Sequence, residues 1–332
     1  MTPLPLLTID NLHVRFPIRA GLLQRTVGEV NAVNGVSFAV NKGEAFGIVG
    51  ESGCGKTTIA RAILRLVDAT EGTIRYNNED VTTIEGQQLA PFRRKVQAIF
   101  QDPFSSLNPR KTTQDIIGEP LRVHKLAEGD GINRRIKELL ELVELPARFT
   151  ELYPHEMSGG QRQRVGIARA LAMNPEMIVC DEAVSALDVS IQAQIINLLE
   201  RLRKELGLTY VFIGHDLSVV RHLCNRVAVM YLGRVMEIAD SDSLFSNPSH
   251  PYTKALLDAV PNPDPSIEAN RKIEPLHGEV PNPSNPPPGC VFHTRCPVSE
   301  DRCRHSAPVL QPVTPNQSAA CWLTQNPSNT HP

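Results

Sequence analysis

The chain has 332 residues, with 34 lysines and arginines against 36 aspartates and glutamates and a formal net charge of −2. That length allows one large domain, or one domain with an appendage. The near-neutral balance argues against a nucleic-acid partner, and the densest basic cluster, Arg93-Arg94-Lys95, reads as a solvated face. No apolar run is long enough to span a bilayer, and Met1-Thr2-Pro3-Leu4-Pro5 lacks the basic and apolar regions of a signal peptide. The expectation is a protein kept in the cytoplasm, whose seven cysteines form no structural disulfides.

In chain order, Leu7 and Ile9, then Leu12, Val14 and Phe16, alternate with polar residues, and the change of phase at Asp10-Asn11 predicts a bulged strand. Arg19 to Glu29 reads as a loop between strands. Val36, Phe38 and Val40 resume the alternation, and Asn41-Lys42-Gly43 is a turn. These pieces form an antiparallel β portion. Ala45-Phe46-Gly47-Ile48-Val49 is then apolar throughout, as a buried parallel strand requires.

Gly50-Glu51-Ser52-Gly53-Cys54-Gly55-Lys56-Thr57-Thr58 follows and fits G-x-x-x-x-G-K-[ST], the phosphate-binding loop. Such a loop aims consecutive backbone N–H groups at phosphate oxygens. Lys56 supplies a compact positive charge for the β- and γ-phosphates, and the Thr57 hydroxyl can bind Mg²⁺. Thr58 to Leu66 has helical periodicity, so a helix N-terminus favours the same anion. Gly72 to Tyr76 and Val96 to Phe100 read as further strands.

From about residue 105 to 171 the pattern turns helical, with Ile132, Ile136, Leu139, Leu140 and Val143 along one face. Met157-Ser158-Gly159-Gly160-Gln161 opens a helix from Gln161 to Ala172 and makes a second anion cradle. One chain rarely needs two cradles for one triphosphate; two chains facing head to tail would use both. Strand–helix alternation then returns: Met177 to Cys180, a helix from Ile191 to Leu206, Thr209 to Ile213, a helix from Leu217 to Leu223, and a hairpin about Gly233. The first of these strands runs into Asp181-Glu182. There Asp181 can hold Mg²⁺ through water, and Glu182 is placed to polarise an attacking water.

After Ser246 the composition shifts. Pro251 to Val260 is a short amphipathic helix, and a proline-rich stretch through Pro288 cannot build a regular core. Cys290, Cys296, Cys303 and Cys321 close the chain with spacing C-x₅-C-x₆-C-x₁₇-C. Four thiolates in a weak core could be fixed around a metal, and they suit iron–sulfur clusters as well as zinc. The alternative is four unligated thiols. His293 and His305 lie nearby and keep zinc open, while Cys54, Cys180 and Cys224 read as packing residues.

These motifs, in this order, resemble those of the nucleotide-binding subunit of an ATP-binding-cassette (ABC) transporter across residues 7–246. Gly50 to Thr58 matches its Walker A loop, Gln101 its Q-loop glutamine, and Ser158-Gly159-Gly160-Gln161 its signature, with Met157 where leucine is usual. Asp181 and Glu182 match the Walker B aspartate and catalytic glutamate, Ser185-Ala186-Leu187-Asp188 the D-loop, and His215 the switch histidine; Ala183 replaces a common proline. The resemblance implies an α/β P-loop core with an antiparallel β subdomain and a helical subdomain. It also implies that ATP is bound with Mg²⁺ on Thr57 and Gln101, that His215 contacts the γ-phosphate, and that Ser158 and Gly160 complete the site across a dimer. Phe16 is the best-placed residue to stack on adenine, with a core strand position as the alternative.

Two stretches resemble the peptide-import branch. Gln101 to Arg110 resembles the loop that receives the membrane subunit's coupling helix, and Asn247 to Leu257 resembles the extension of dipeptide, oligopeptide and nickel importers. The implied organisation is a nucleotide-binding domain over 1–246, with its helical insertion at about 105–171, and a C-terminal extension over 247–332. In some peptide importers a similar tail carries a [4Fe–4S] cluster, which the four cysteines would hold here, with Zn²⁺ as the alternative. The implied partners are a second ATPase subunit, identical or paralogous, two membrane permeases and an extracytoplasmic substrate-binding protein, with no nucleic acid. The implied location is peripheral, on the cytoplasmic face of the inner membrane. The implied work is import of di- or oligopeptides; nickel or other small-solute import, or a soluble ATPase of the same fold, are the alternatives.

Overall fold

The computed structural model describes residues 4–21, 25–102, 106–260, 276 and 278–325. The strands are β1 (Leu7–Ala20), β2 (Arg25–Val40), β3 (Ala45–Val49), β4 (Glu71–Tyr76), β5 (Glu79–Asp80) and β6 (Val96–Ile99). They continue with β7 (Met177–Asp181), β8 (Thr209–Ile213), β9 (Arg226–Tyr231), β10 (Arg234–Asp240), β11 (Gln311–Thr314) and β12 (Gln317–Ala319). The chain is α/β, as the alternation of elements predicts, and it divides into two compact units.

The first unit comprises residues 1–5, 40–45 and 83–214. Its strands β6, β7 and β8 are parallel and in register from Val96↔Met177 and Met177↔Thr209 onward. Every residue of β7 and β8 is buried, which is why both read as continuous apolar runs without alternation. The helices Thr113–Val123, Asp130–Leu142 and Gly159–Leu171 occupy the region predicted to be helical. On the middle one, Ile136, Leu139 and Leu140 are buried, and Val143 caps its end. The Tyr210 hydroxyl, on a fully buried ring, donates to the Leu199 carbonyl at 2.9 Å, so the long helix Val189–Leu206 is tied to β8.

The second unit comprises residues 6–39, 46–82 and 215–332. It holds an antiparallel sheet in the order β2-β1-β4-β5, and a second set in which β3 pairs with β9 in parallel while β10, β12 and β11 continue antiparallel. The bulge predicted at Asp10-Asn11 is present: the β1–β4 register shifts between Asp10 and His13, and Asn11 has φ 46°.

One expectation is corrected here. Arg19 to Glu29 is not mainly a loop: β1 runs to Ala20 and β2 starts at Arg25. The outer part of this hairpin is exposed along both strands, so it has no buried face to impose an apolar alternation. Beyond the proline-rich stretch, which has no helix or strand among its described residues, the tail builds regular structure. Strand β12 adds to the edge of β10, and the Phe292 ring, 1% exposed, packs against Tyr231 and Tyr252 at centroid distances of 5.3 Å each. Burying that one ring is worth roughly 1.5–3 kcal/mol. Most of the proline-rich stretch, residues 261–275, lies outside the described residues.

The helix Pro251–Asp258 begins where predicted. His250 caps it: the ring Nδ1 accepts from the Tyr252 N–H at 3.0 Å, while the His250 N–H donates to Glu237 Oε2 at 2.9 Å. His250 is 1% exposed, and burial pushes its pKa down from 6.5 to about 3. The ring is therefore neutral in the folded protein and charged in the unfolded chain between those values. Stability is full above pH 6.5 and is expected to fall by about 1.4 kcal/mol per pH unit as pH drops from there toward 3. Urea denaturation across this range should show that slope, and His250→Asn should flatten it; an unchanged slope in the variant would assign the pH dependence to other groups.

Candidate functional site

The candidate residues fall on both units. In the second, the stretch Gly50 to Thr58 joins β3 to the helix Lys56–Ile63, the strand–loop–helix setting that a phosphate loop needs. Lys56 is 5% exposed, and its Nζ donates to the loop carbonyls of Gly50 at 2.7 Å and Glu51 at 3.0 Å. The lysine folds back over its own loop, so its charge is held against the loop backbone. Gly55 has φ 105°, and a Cβ there would collide with the Ala32 carbonyl oxygen, so only glycine fits this turn.

Two contacts that hold this loop were not legible in the sequence. The Glu51 carboxylate takes a bidentate pair from Arg295, at 2.7 Å from Nη1 and 3.1 Å from Nη2. The Glu51 N–H donates to the Tyr252 hydroxyl at 2.9 Å. The partners are 244 and 201 residues away, and no local pattern signals such a pairing. Phe16, on β1, is 41% exposed, so it is not a core strand residue. His215 is exposed and precedes Asp216, whose carboxylate caps the helix Leu217–Leu223 by accepting from the Ser218 N–H at 2.8 Å.

In the first unit, Asp181 ends β7 and is 8% exposed. Glu182 follows with φ 50°, a conformation that side-chain-bearing residues rarely adopt. Its N–H donates to the Ile213 carbonyl at 2.9 Å, and its Oε2 accepts from Gln101 Nε2 at 2.7 Å. The structure thus brings together Gln101 and Glu182, two polar groups 81 residues apart. Ser158 caps the helix Gly159–Leu171: its Oγ accepts from the Gln161 N–H at 3.4 Å, and Gln161 Oε1 accepts from the Ser158 N–H at 3.0 Å. This capping box uses the Gln161 side chain to shape the helix start and leaves the first-turn amides of Gly159 and Gly160 at the helix N-terminus. Of the segment after Gln101, residues 103–105 lie outside the described residues.

The family model of the ABC transporter matches residues 33–185, and that of the oligopeptide/dipeptide transporter C-terminal region matches residues 236–303. The oligopeptide transport ATP-binding protein AppF of Bacillus subtilis (strain 168) is 52% identical, over 96% of this chain and 97% of its own. This chain belongs to the ATP-binding subunits of ABC transporters. Among solved structures, the ABC subunit is similar to the dimeric ATP-binding cassette MJ0796 in a post-hydrolysis state bound to ADP and Pi. The TM-score is 0.63 at 31% identity, covering 71% of this chain and 98% of that one. It is also similar to cbiO1 of Clostridium perfringens, part of the ABC transporter complex cbiONQ, with TM-score 0.63 and 25% identity, over 73% of this chain and 91% of that one. The catalysed reaction is ATP hydrolysis.

Among the described residues, no helix of this subunit is long and apolar enough to cross a membrane. Its four C-terminal cysteines, Cys290, Cys296, Cys303 and Cys321, all line one small cavity of about 20 Å³, together with His250, His293, Phe292 and Trp322. Burial, and then the neighbouring thiols, push Cys296 up to about 12, and burial also raises Cys290 and Cys321. Thiols are the residue type that suits a thiophilic cation, and four of them line this one cavity. Among the described residues, no group of three or more His, Cys, Asp or Glu side chains is placed to hold a metal ion. The thiols share a cavity without being drawn onto one point. Cys54, Cys180 and Cys224 are buried and are not among the residues lining that cavity, as packing residues are.

Proposed function

We propose that this ATPase subunit energises import of di- or oligopeptides from the cytoplasmic face of the inner membrane. The observation that carries the cargo assignment is the oligopeptide/dipeptide-transporter match to residues 236–303, supported by the near full-length likeness to AppF. Its partners in this reading are a second ATPase subunit, two membrane permeases and a substrate-binding protein. The chain divides functionally at about residue 246 into a nucleotide-binding domain, with its helical insertion at about 105–171, and an importer-type extension.

In this reading Lys56 and the amides of Gly50 to Thr58 hold the phosphates. Thr57 and Gln101 hold Mg²⁺, with Asp181 behind it through water. Glu182 accepts the proton of the attacking water, and His215 contacts the γ-phosphate. Ser158, Gly159, Gly160 and Gln161 present a helix N-terminus to the nucleotide of the partner subunit, and Phe16 stacks on adenine. Binding of ATP closes the two subunits; in-line hydrolysis reopens them, and the segment after Gln101 passes the motion to the permeases. Reconstituted with its permeases and binding protein in vesicles, the chain should show ATPase activity stimulated by di- or oligopeptides. Stimulation by nickel and not by peptides would replace this cargo.

Cys290, Cys296, Cys303 and Cys321 are the residues that would hold a [4Fe–4S] cluster. What speaks for that assignment is the number of thiols, four, and that all of them line one small cavity. Bound there, the group would supply four metal–thiolate bonds and lock the tail as a small metal-clamped module. Anaerobic purification is expected to yield iron and acid-labile sulfide in near-equal amounts. Zinc without sulfide would make the tail a structural zinc clip, and no metal would return the four thiols to an unligated state.

A further inference from the structure

We propose that Arg295 and Tyr252, both in the C-terminal extension, are positioning residues for the phosphate loop: they clamp Glu51 from its carboxylate and from its backbone N–H. This rests on the reading of Gly50 to Thr58 as the ATP phosphate site. Glu51 is the second residue of that loop, and its carboxylate is only 25% exposed. Left unpaired, it would set a negative charge beside a site that must receive a polyanion. Arg295, whose side chain is 8% exposed, closes that charge with a planar two-point fork.

The clamp has further contacts of its own. Arg295 also donates to the Tyr231 hydroxyl at 3.4 Å, and its guanidinium lies 5.8 Å from the Tyr231 ring centroid. Tyr231 and Tyr252 pack at 4.8 Å, and both contact Phe292. All three rings are 1% exposed or less. The Tyr252 hydroxyl takes the Glu51 N–H, which turns that amide away from the set available to phosphate and fixes the peptide plane at the loop entrance. Arg295 stands on the turn between Cys290 and Cys296, so the segment that carries the thiols also carries the guanidinium. The extension thus supplies part of the scaffold that shapes the nucleotide site, although its residues need not touch ATP.

The test is steady-state ATP hydrolysis and ATP binding by the full-length chain and its variants. Arg295→Ala is expected to raise KM for ATP about tenfold, while kcat falls less than about threefold, because a bound nucleotide restores the loop shape. Arg295→Lys should recover part of the affinity, having the charge without the fork. In the double variant Glu51→Gln with Arg295→Ala, the loss should shrink to within about threefold of Glu51→Gln alone, since the carboxylate needing compensation is gone. Tyr252→Phe should raise KM by about threefold. An unchanged KM in Arg295→Ala, or strictly additive effects in the cycle with Glu51→Gln, would overturn the proposal. If Arg295→Ala fails to fold, the cycle is read with Arg295→Lys, where additivity overturns it equally. Lys56→Ala separates the two levels: if it binds ATP normally, the phosphate-site reading fails, whereas a wild-type Arg295→Ala beside a non-binding Lys56→Ala sinks only the clamp.

Discussion

Glu182→Gln is expected to lower the rate of ATP hydrolysis about a thousandfold, within the range for removing a positioned general base, while ATP affinity changes little. The geometry separates the two properties. The Glu182 carboxylate stands just past β7 on a backbone at φ 50°, held by its N–H to Ile213 and by Gln101 Nε2 at 2.7 Å. Glutamine has the same shape and can still accept from Gln101, so the local structure survives. What it cannot do is take a proton from the attacking water. The phosphates are assigned to Lys56 and the loop amides, which the substitution does not alter. Single-turnover hydrolysis and ATP titration on the same preparation read the two effects separately. Hydrolysis above about a tenth of the wild-type rate would remove Glu182 from the role of base. A parallel loss of ATP affinity would make it a structural residue instead.

Gly55→Ala is expected to destabilise the protein by at least about 3 kcal/mol and to abolish ATP binding at millimolar nucleotide. The cost has two sources. Gly55 has φ 105°, where any Cβ is strained, and that Cβ would meet the Ala32 carbonyl, with the Ala32 carbonyl carbon 3.3 Å away and Gly233 Cα 3.6 Å away. All of these are backbone atoms, and none can rotate aside. They are also tied to one another: Asn34 N donates to Gly233 O at 2.8 Å, and Gly233 N to Cys54 O at 2.9 Å. A shift of one strand would therefore drag the loop with it. Gly207 is the control. It ends the helix Val189–Leu206 with φ 65° and has nothing within 4 Å of a would-be Cβ. Gly207→Ala should cost only about 1 kcal/mol, the conformational part alone. Urea denaturation of the two variants measures the difference; equal costs would mean that the Ala32 carbonyl yields.

The elements that were legible share a physical cause. Strand β8 was read with its observed bounds, Thr209–Ile213, and so was the helix Leu217–Leu223. In both, burial of a whole strand or of one helix face writes itself into adjacent residues. The phosphate loop is legible for a similar reason, since the backbone path and the lysine that it needs lie within nine residues. The Arg19–Glu29 ribbon was not, because its strands are exposed and leave no apolar signal. The structure after the proline-rich stretch was not legible either, because no local pattern says whether β12 pairs with β10 or Phe292 fills a gap beside Tyr231.

The sequence by itself determined the nucleotide chemistry, the strand–helix alternation from Met177 to Leu223, and the four thiols as a set, because each depends on residue types at short spacing. Only the tertiary structure decided which distant groups meet. It put Gln101 on Glu182, gathered Cys290, Cys296, Cys303 and Cys321 around one cavity, left Phe16 exposed, and brought Arg295 and Tyr252 onto Glu51. Such meetings are fixed by packing of whole elements, and the free energy that selects them is spread over the buried faces of strands and aromatic rings far from the residues that finally touch.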